Sequence, residues 1–67
     1  MKEGKGVGFY PDGSVYEGDW KNDKREGKGI CYYNNDSREM GNYMNDKKIG
    51  KHVILLANGE VITNNYN

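Results

Sequence analysis

The sequence predicts an all-β chain, an antiparallel meander of repeated β-hairpins, on three observations. They are a 23-residue internal period, turn signals that recur at one phase of it, and bulky residues alternating with polar ones between the turns. The period shows in Gly4-Lys5-Gly6, Gly27-Lys28-Gly29 and Gly50-Lys51-His52. The same step carries Tyr10 onto Tyr33 and Leu56, Trp20 onto Tyr43 and Tyr66, and Asn22-Asp23-Lys24-Arg25 onto Asn45-Asp46-Lys47-Lys48. Repetition at so short a period makes each unit one supersecondary element that cannot bury its apolar face alone and stacks on its neighbours. The expected units are 4–26, 27–49 and 50–67, the last incomplete, within one repeat segment spanning 1–67.

In the first unit, residues 7–10 form a short apolar run, Pro11-Asp12-Gly13 signals a turn, and residues 14–20 alternate. Pro presets φ at a turn's second position and Gly supplies positive φ, so this triplet between two strand-like runs marks a hairpin. Asn34-Asn35-Asp36 and Ala57-Asn58-Gly59 fall at the same phase and are expected to turn as well. Tyr16, Gly18 and Trp20 share one face of the second strand, and Gly18 leaves a slot in which a neighbouring ring can lie on the backbone. In the first strand, the face of Gly6, Gly8 and Tyr10 recurs as Gly29, Cys31 and Tyr33, then as His52, Ile54 and Leu56, growing bulkier. The opposite face carries Val7 and Phe9, then Ile30 and Tyr32, then Val53 and Leu55, so either both faces are partly covered or one awaits a partner. Six-residue connectors over 21–26 and 44–49 are expected to lead from one hairpin to the next. Frequent Gly and the absence of a sustained 3.6-residue period argue against helix.

Length and composition narrow the function. With 67 residues and 34% hydrophobic content, the chain holds one small, shallow core, since a chain of about 60 residues buries only roughly 60% of its unfolded surface. Ten basic and ten acidic residues cancel, which leaves no global field to draw nucleic acid. Cys31 is alone, which excludes an intrachain disulfide and points to a reducing compartment. No stretch approaches the roughly 18 apolar residues of a membrane-spanning helix, and residues 1–4 lack the apolar core of a signal peptide. A soluble, cytoplasmic protein is expected, at the cytoskeleton or the inner face of a membrane.

Tyr16-Glu17-Gly18-Asp19-Trp20-Lys21-Asn22-Asp23-Lys24-Arg25-Glu26-Gly27-Lys28-Gly29 resembles the MORN repeat (membrane occupation and recognition nexus), and the 23-residue period fits. The second unit departs from the family's Tyr-Glu-Gly-x-Trp with Glu39-Met40-Gly41-Asn42-Tyr43, and the third, with Ile62-Thr63-Asn64-Asn65-Tyr66, loses the glycine. Such decay is expected of a terminal repeat. The resemblance implies stacked hairpins in an elongated sheet without catalysis of its own. It further implies a scaffold, a dimerisation surface, a phosphoinositide binder or an accessory module beside an enzyme domain.

Catalytic and ligand-binding readings find little support in the residues. Gly-Lys-Gly lacks the remainder of a phosphate loop and its strand-loop-helix context. One histidine and one cysteine cannot assemble a tetrahedral zinc site, and Cys31 reads as a small buried hydrophobe rather than a nucleophile paired with His52. His52 is expected to fill the space that Gly6 and Gly29 leave open. Glu17, Asp19 and Glu39 fall at polar or degenerate phases, where surface exposure explains them. No enzyme activity, cofactor or metal is expected, and nucleic acid is not an expected partner.

Two surfaces remain. Residues 21–28 carry four bases and two acids and residues 44–51 three bases and one acid, so Lys21, Lys24, Arg25, Lys28, Lys47, Lys48 and Lys51 are expected along one edge as a solubilising rim or an anionic-lipid site. Tyr10, Tyr16, Trp20, Tyr33, Tyr43 and Tyr66 form the aromatic face, which serves as core or as anchor for a protein partner. The leading expectation is a non-catalytic module for protein interaction or self-association, a dimer being expected, as part of a larger scaffold. The alternatives are binding to phosphoinositide or an acidic membrane surface, and an accessory role beside a catalytic domain outside this segment.

Overall fold

The computed structural model describes residues 3–66, and over them the chain is a single six-stranded antiparallel sheet in meander order. The strands are β1 (Gly4–Phe9), β2 (Val15–Lys21), β3 (Lys24–Tyr32), β4 (Arg38–Met44), β5 (Lys47–Leu55) and β6 (Val61–Tyr66). The all-β meander is as the period and turn signals predict. The Cα atoms extend over 36 × 26 × 16 Å, the smallest dimension reflecting the twist of one layer.

Two kinds of turn alternate, each with its own chemistry. Between β1 and β2, Gly13 N–H donates to Tyr10 O at 3.0 Å, Tyr10 N–H donates to Ser14 O at 2.9 Å, and Gly13 has φ 93°. This is a four-residue turn closed by one residue in the left-handed region. The same bonds recur from Tyr33 to Ser37, with Asp36 at φ 68°, and from Leu56 to Glu60, with Gly59 at φ 93°. The intervening turns are tighter. Asn22 and Asp23 have φ 52° and 64°, Asn45 and Asp46 have φ 50° and 70°, and positive φ at both central residues defines the two-residue hairpin that Asn and Asp tolerate. The expected six-residue connectors are therefore two-residue turns. Lys21, Lys24, Arg25, Lys47 and Lys48 lie in strands.

Repetition extends to the pairing register. Gly4 pairs with Trp20, Gly27 with Tyr43 and Gly50 with Tyr66. Where β2 meets β3 the register shifts between Gly18 and Trp20, and where β4 meets β5 it shifts between Met40 and Asn42. The surplus residues fall on the longer strands around Gly27 (φ 77°) and Gly50 (φ 69°), so each of these hairpins carries a bulge that strengthens its twist.

A single sheet has no second layer to bury its apolar side chains, and this one solves the problem by laying rings flat on its own backbone. Tyr16 (0% exposed), Trp20 and Tyr43 form the core cluster, with Tyr10 packed against it. The rings meet edge to face. Tyr16 contacts Trp20 and Tyr43 with centroids 5.1 Å apart in each case, Tyr43 contacts His52 at 5.4 Å, and His52 contacts Tyr66 at 4.9 Å. Such pairs each add about 0.5–1.5 kcal/mol beyond area burial. Glycines make room for them: a Cβ on Gly8 would stand 2.7 Å from the Trp20 ring, and one on Gly18 2.5 Å from the Cα of Gly29 and 2.8 Å from the Tyr16 hydroxyl.

Two substitutions check this packing. Trp20→Ala is expected to lower stability by about 3–5 kcal/mol, the range for truncating a large core aromatic. Gly18→Val, whose first new atom would meet backbone rather than a movable side chain, is expected to cost at least the roughly 1–3 kcal/mol of core overpacking. Thermal or urea unfolding reads both, and an unchanged midpoint in either variant contradicts rings seated on glycine.

Candidate functional site

Alternation along the strands divides the candidate residues between two faces. The front face carries the aromatic row and, unexpectedly, two of the cations. Arg25 lies over three tyrosine rings, its guanidinium carbon 4.8 Å from the Tyr43 centroid and 5.7 Å from those of Tyr10 and Tyr16. Asp46 holds it in place: Nε donates to Asp46 Oδ1 at 2.7 Å and Nη2 to the Asp46 carbonyl at 2.7 Å. Lys48, one period later, repeats the arrangement over Tyr33 at 5.6 Å and Tyr66 at 5.3 Å. Each cation thus fills a box built by the same two repeat positions.

Glu39 is buried at 4% exposure, which overturns the expectation that surface exposure explains this carboxylate. It ties four strands or their turns together. Tyr33 Oη and Lys48 Nζ donate to Oε1 at 2.9 and 3.0 Å, and Tyr66 Oη donates to Oε2 at 2.9 Å. His52 Nδ1 lies 3.0 Å from Oε2, an ion-pair distance whose angle does not make it a hydrogen bond. His52 is closed to solvent, and its Nε2 donates to the Asn42 carbonyl at 2.9 Å, since a carbonyl can only accept.

Glu39 and His52 make sense as a pair, each 23 residues after Tyr16 and Gly29. In the earlier hairpin the Tyr16 ring covers Gly29, where a Cβ would lie 2.1 Å from the Tyr16 hydroxyl, and that hydroxyl donates to the Asp19 carbonyl at 3.2 Å. In the later hairpin the ring comes from the facing strand. His52 covers Gly41, where a Cβ would stand 2.4 Å from the imidazole, and caps the carbonyl of Asn42, the equivalent of Asp19. The Tyr/Gly pair has become Glu/His: the capped carbonyl is retained, and the covered glycine moves from Gly29 on β3 to Gly41 on β4, the equivalent of Gly18.

Burial and hydrogen bonding set the local electrostatics. Burial raises the Tyr16 and Tyr33 hydroxyls to about 12 and also raises Tyr43 and the Cys31 thiol, so Cys31 is held away from its nucleophilic form. Burial opposes the charge on Glu39, but donation from Lys48, Tyr66 and Tyr33 outweighs it and lowers the carboxyl pKa. Lys48 is raised because hydrogen bonds to Tyr33 and Glu39 outweigh its own desolvation. Between Tyr10 and Tyr33 lies a cleft of about 480 Å³ with Cys31, Arg25 and Lys48 in its lining. Among the described residues, no group of three or more His, Cys, Asp or Glu is gathered as a metal site.

The sequence-derived candidates separate accordingly. Tyr16, Trp20 and Tyr43 are buried, while Tyr10, Tyr33 and Tyr66 keep part of their surface. Arg25 and Lys48 leave the basic set for the front face, and Lys21, Lys24, Lys28, Lys47 and Lys51 remain exposed on the back. On that back face Val7 (41%), Phe9 (79%), Met40 (39%), Met44 (53%) and Val61 (61%) are open to solvent. Sequence reasoning listed some of these apolar positions but no back-face site, and it missed the buried role of Glu39. The simultaneous departure of positions 39 and 52 from the repeat was the signal available for the latter.

The fold and the ring-on-glycine packing define a class: an elongated β-repeat array whose units are hairpins of constant register. The model of the MORN repeat matches residues 1–15 and 16–38, and the chain belongs to the MORN-repeat family. The matched unit 16–38 contains the β2–β3 hairpin. A search of curated proteins finds no match to the chain. MORN repeats are a non-catalytic repeat family, commonly modules for interaction with proteins or membranes.

Three measurements follow from this geometry. Glu39→Tyr or His52→Gly alone is expected to destabilise, by a clash in one case and a void in the other, whereas the double variant restores the earlier hairpin's solution. A double-mutant cycle should show favourable coupling of at least about 1 kcal/mol, and additivity contradicts the exchange. Tyr43→Phe is expected to leave stability unchanged or slightly raised, because the Tyr43 hydroxyl is buried without a hydrogen-bond partner. Tyr16→Phe should instead cost about 1 kcal/mol, and equal effects in urea unfolding contradict the difference. The lowered Glu39 pKa contributes stability present above the ordinary carboxyl value of 4.5 and lost as pH falls through the folded-state value. The thermal midpoint should therefore fall as pH drops below about 4.5, and Glu39→Gln should lower it at pH 7 while flattening that fall.

Proposed function

We propose that the segment is a non-catalytic interaction module that holds a protein partner or a second copy of itself. The observation that carries this reading is the sheet's open back. Phe9, Val7, Met40, Met44 and Val61 stand exposed on one side of a single layer, and no element of the described chain covers them. Val7 and Phe9 are successive back-face residues of β1, and exposed apolar surface marks interaction sites in soluble proteins. The outer edges of β1 and β6 have no strand partner among the described residues, and unpaired edges are templates for pairing with another chain. The half-buried Tyr10, Tyr33 and Tyr66 offer amphipathic contact at the front.

A second reading, binding to an anionic membrane surface, is favoured by the exposed Lys21, Lys24, Lys28, Lys47 and Lys51 beside apolar residues on the back face. Arg25 and Lys48 are engaged with Asp46 and Glu39 and take no part in it.

Sedimentation equilibrium over a hundredfold concentration range is expected to reveal reversible association, weakened by Phe9→Ser and Val61→Ser. A chain that is monomeric throughout, and whose behaviour those substitutions leave unchanged, contradicts self-association through this surface. Co-sedimentation with phosphatidylserine vesicles across a salt series tests the second reading, which requires binding that is lost as salt rises.

A further inference from the structure

The back face is not a flat apolar patch. A hollow of about 440 Å³ bounded by Lys28, Ile30 and Met40 adjoins one of about 430 Å³ bounded by Lys5 and Val7, and both include Glu17 and Gly18. Together they form a trough running across the strands. Its floor follows a row of paired glycines, Gly6 with Gly18, Gly18 with Gly29, and Gly29 with Gly41. Its two banks differ in chemistry. Lys5 and Lys28, both exposed, stand on one side of the floor and Val7 and Ile30 on the other, and beyond the two hollows Lys51 and Val53 hold the equivalent positions on β5.

Equivalent residues lie two strands apart, about 10 Å. Seven residues of α-helix advance about 10.5 Å. A helix laid across the strands would therefore bring every seventh residue to an equivalent place on the sheet, and the offset over two steps, about 1–2 Å, lies within the reach of a lysine side chain. We propose that the trough docks an acidic amphipathic helix of a partner protein. Acidic side chains at heptad spacing meet Lys5, Lys28 and Lys51, and apolar ones meet Val7, Ile30 and Val53. The proposal rests on the interaction-module reading and names the partner's chemistry.

Charge complementarity favours an acidic partner. The strand positions of the back face carry Lys5, Lys21, Lys24, Lys28, Arg38, Lys47 and Lys51 against Glu17, Asp19 and Glu26, seven bases to three acids. Asp19 lies 3.4 Å from Lys5, but both groups are well exposed and such a pair holds weakly. Glu17, at the junction of the hollows, accepts the Tyr32 hydroxyl at 3.4 Å and calls for one basic residue in the helix opposite it. Concavity separates a helix from a bilayer, since a trough admits a rod and a planar membrane spans it.

The probe is a designed three-heptad peptide with acidic residues at the three lysine-facing positions, apolar neighbours, and one lysine opposite Glu17. A control peptide carries lysine at the acidic positions. Titration calorimetry and circular dichroism with the 67-residue chain are expected to show saturable binding with gain of helix. Lys28→Glu with Lys51→Glu should weaken it at least tenfold, and the control peptide should then bind the doubly substituted chain better than the original. Both lysines are exposed, and an unchanged thermal midpoint verifies that the variant folds. Absence of binding, binding indifferent to the charge reversal, or binding to phosphatidylserine vesicles without binding to the peptide overturns the proposal. Peptide failure alongside concentration-dependent self-association overturns the helix alone, whereas failure of both removes the interaction reading with it.

Discussion

The structure depends on one constraint: a single β-sheet must make its core from side chains that lie down on its own surface. A ring can lie flat against the backbone only where the facing residue has no Cβ, so the buried rings of Tyr16, Trp20 and His52 each require a glycine at a defined register position. Gly8 beneath Trp20 and Gly29 beneath Tyr16 meet that requirement. The aromatic rings then contact one another edge to face from β2 to β6 and link successive hairpins into one cooperative array. In repeat proteins stability is the sum of such units and their nearest-neighbour interfaces, and in this array the interfaces are ring contacts rather than a hydrophobic layer.

The second hairpin shows how far this constraint can be met with different residues. Where Tyr16 covers Gly29, His52 covers Gly41 from the opposite strand, and Glu39 occupies the space the tyrosine leaves. A buried carboxylate is tolerable only when its oxygens are paired. Tyr33, Lys48 and Tyr66 donate to Glu39, three partners from three different parts of the chain. Lys48 stands on the aromatic face because it pairs with Tyr43, as Arg25 pairs with Trp20 and lies among Tyr10, Tyr16 and Tyr43. Both cations act as packing elements whose charge is balanced locally, by Asp46 and Glu39.

Because the front face is consumed by its own packing, the surface left open is the back face, the half-buried tyrosines and the two outer edges. The back face inherits the repeat as well: Lys5, Lys28 and Lys51 on one line and Val7, Ile30 and Val53 on the next. A surface whose features recur at about 10 Å suits a ligand with a similar period, and the heptad of an α-helix is one. The aromatic packing and the proposed docking surface therefore have a common origin in the 23-residue unit, one on each side of the same backbone.

By itself the sequence determined the period, the all-β meander and the first class of turns, because a repeat, Pro-Asp-Gly and strand alternation act through local stereochemistry. It also carried the family resemblance in residues 16–29, within a region the MORN-repeat model matches. Only the tertiary structure decided the burial of Glu39, the inward placement of Arg25 and Lys48, and the reduction of the expected connectors to two-residue turns. Strand phase in this chain depends on bulges near Gly27 and Gly50 and on positive φ at Asn22, Asp23, Asn45 and Asp46, none of which alternation reveals. A carboxylate and a lysine read as surface residues until the register brings them together with Tyr33, Tyr66 and His52. That meeting joins residues up to 27 positions apart and exists only once the hairpins have stacked.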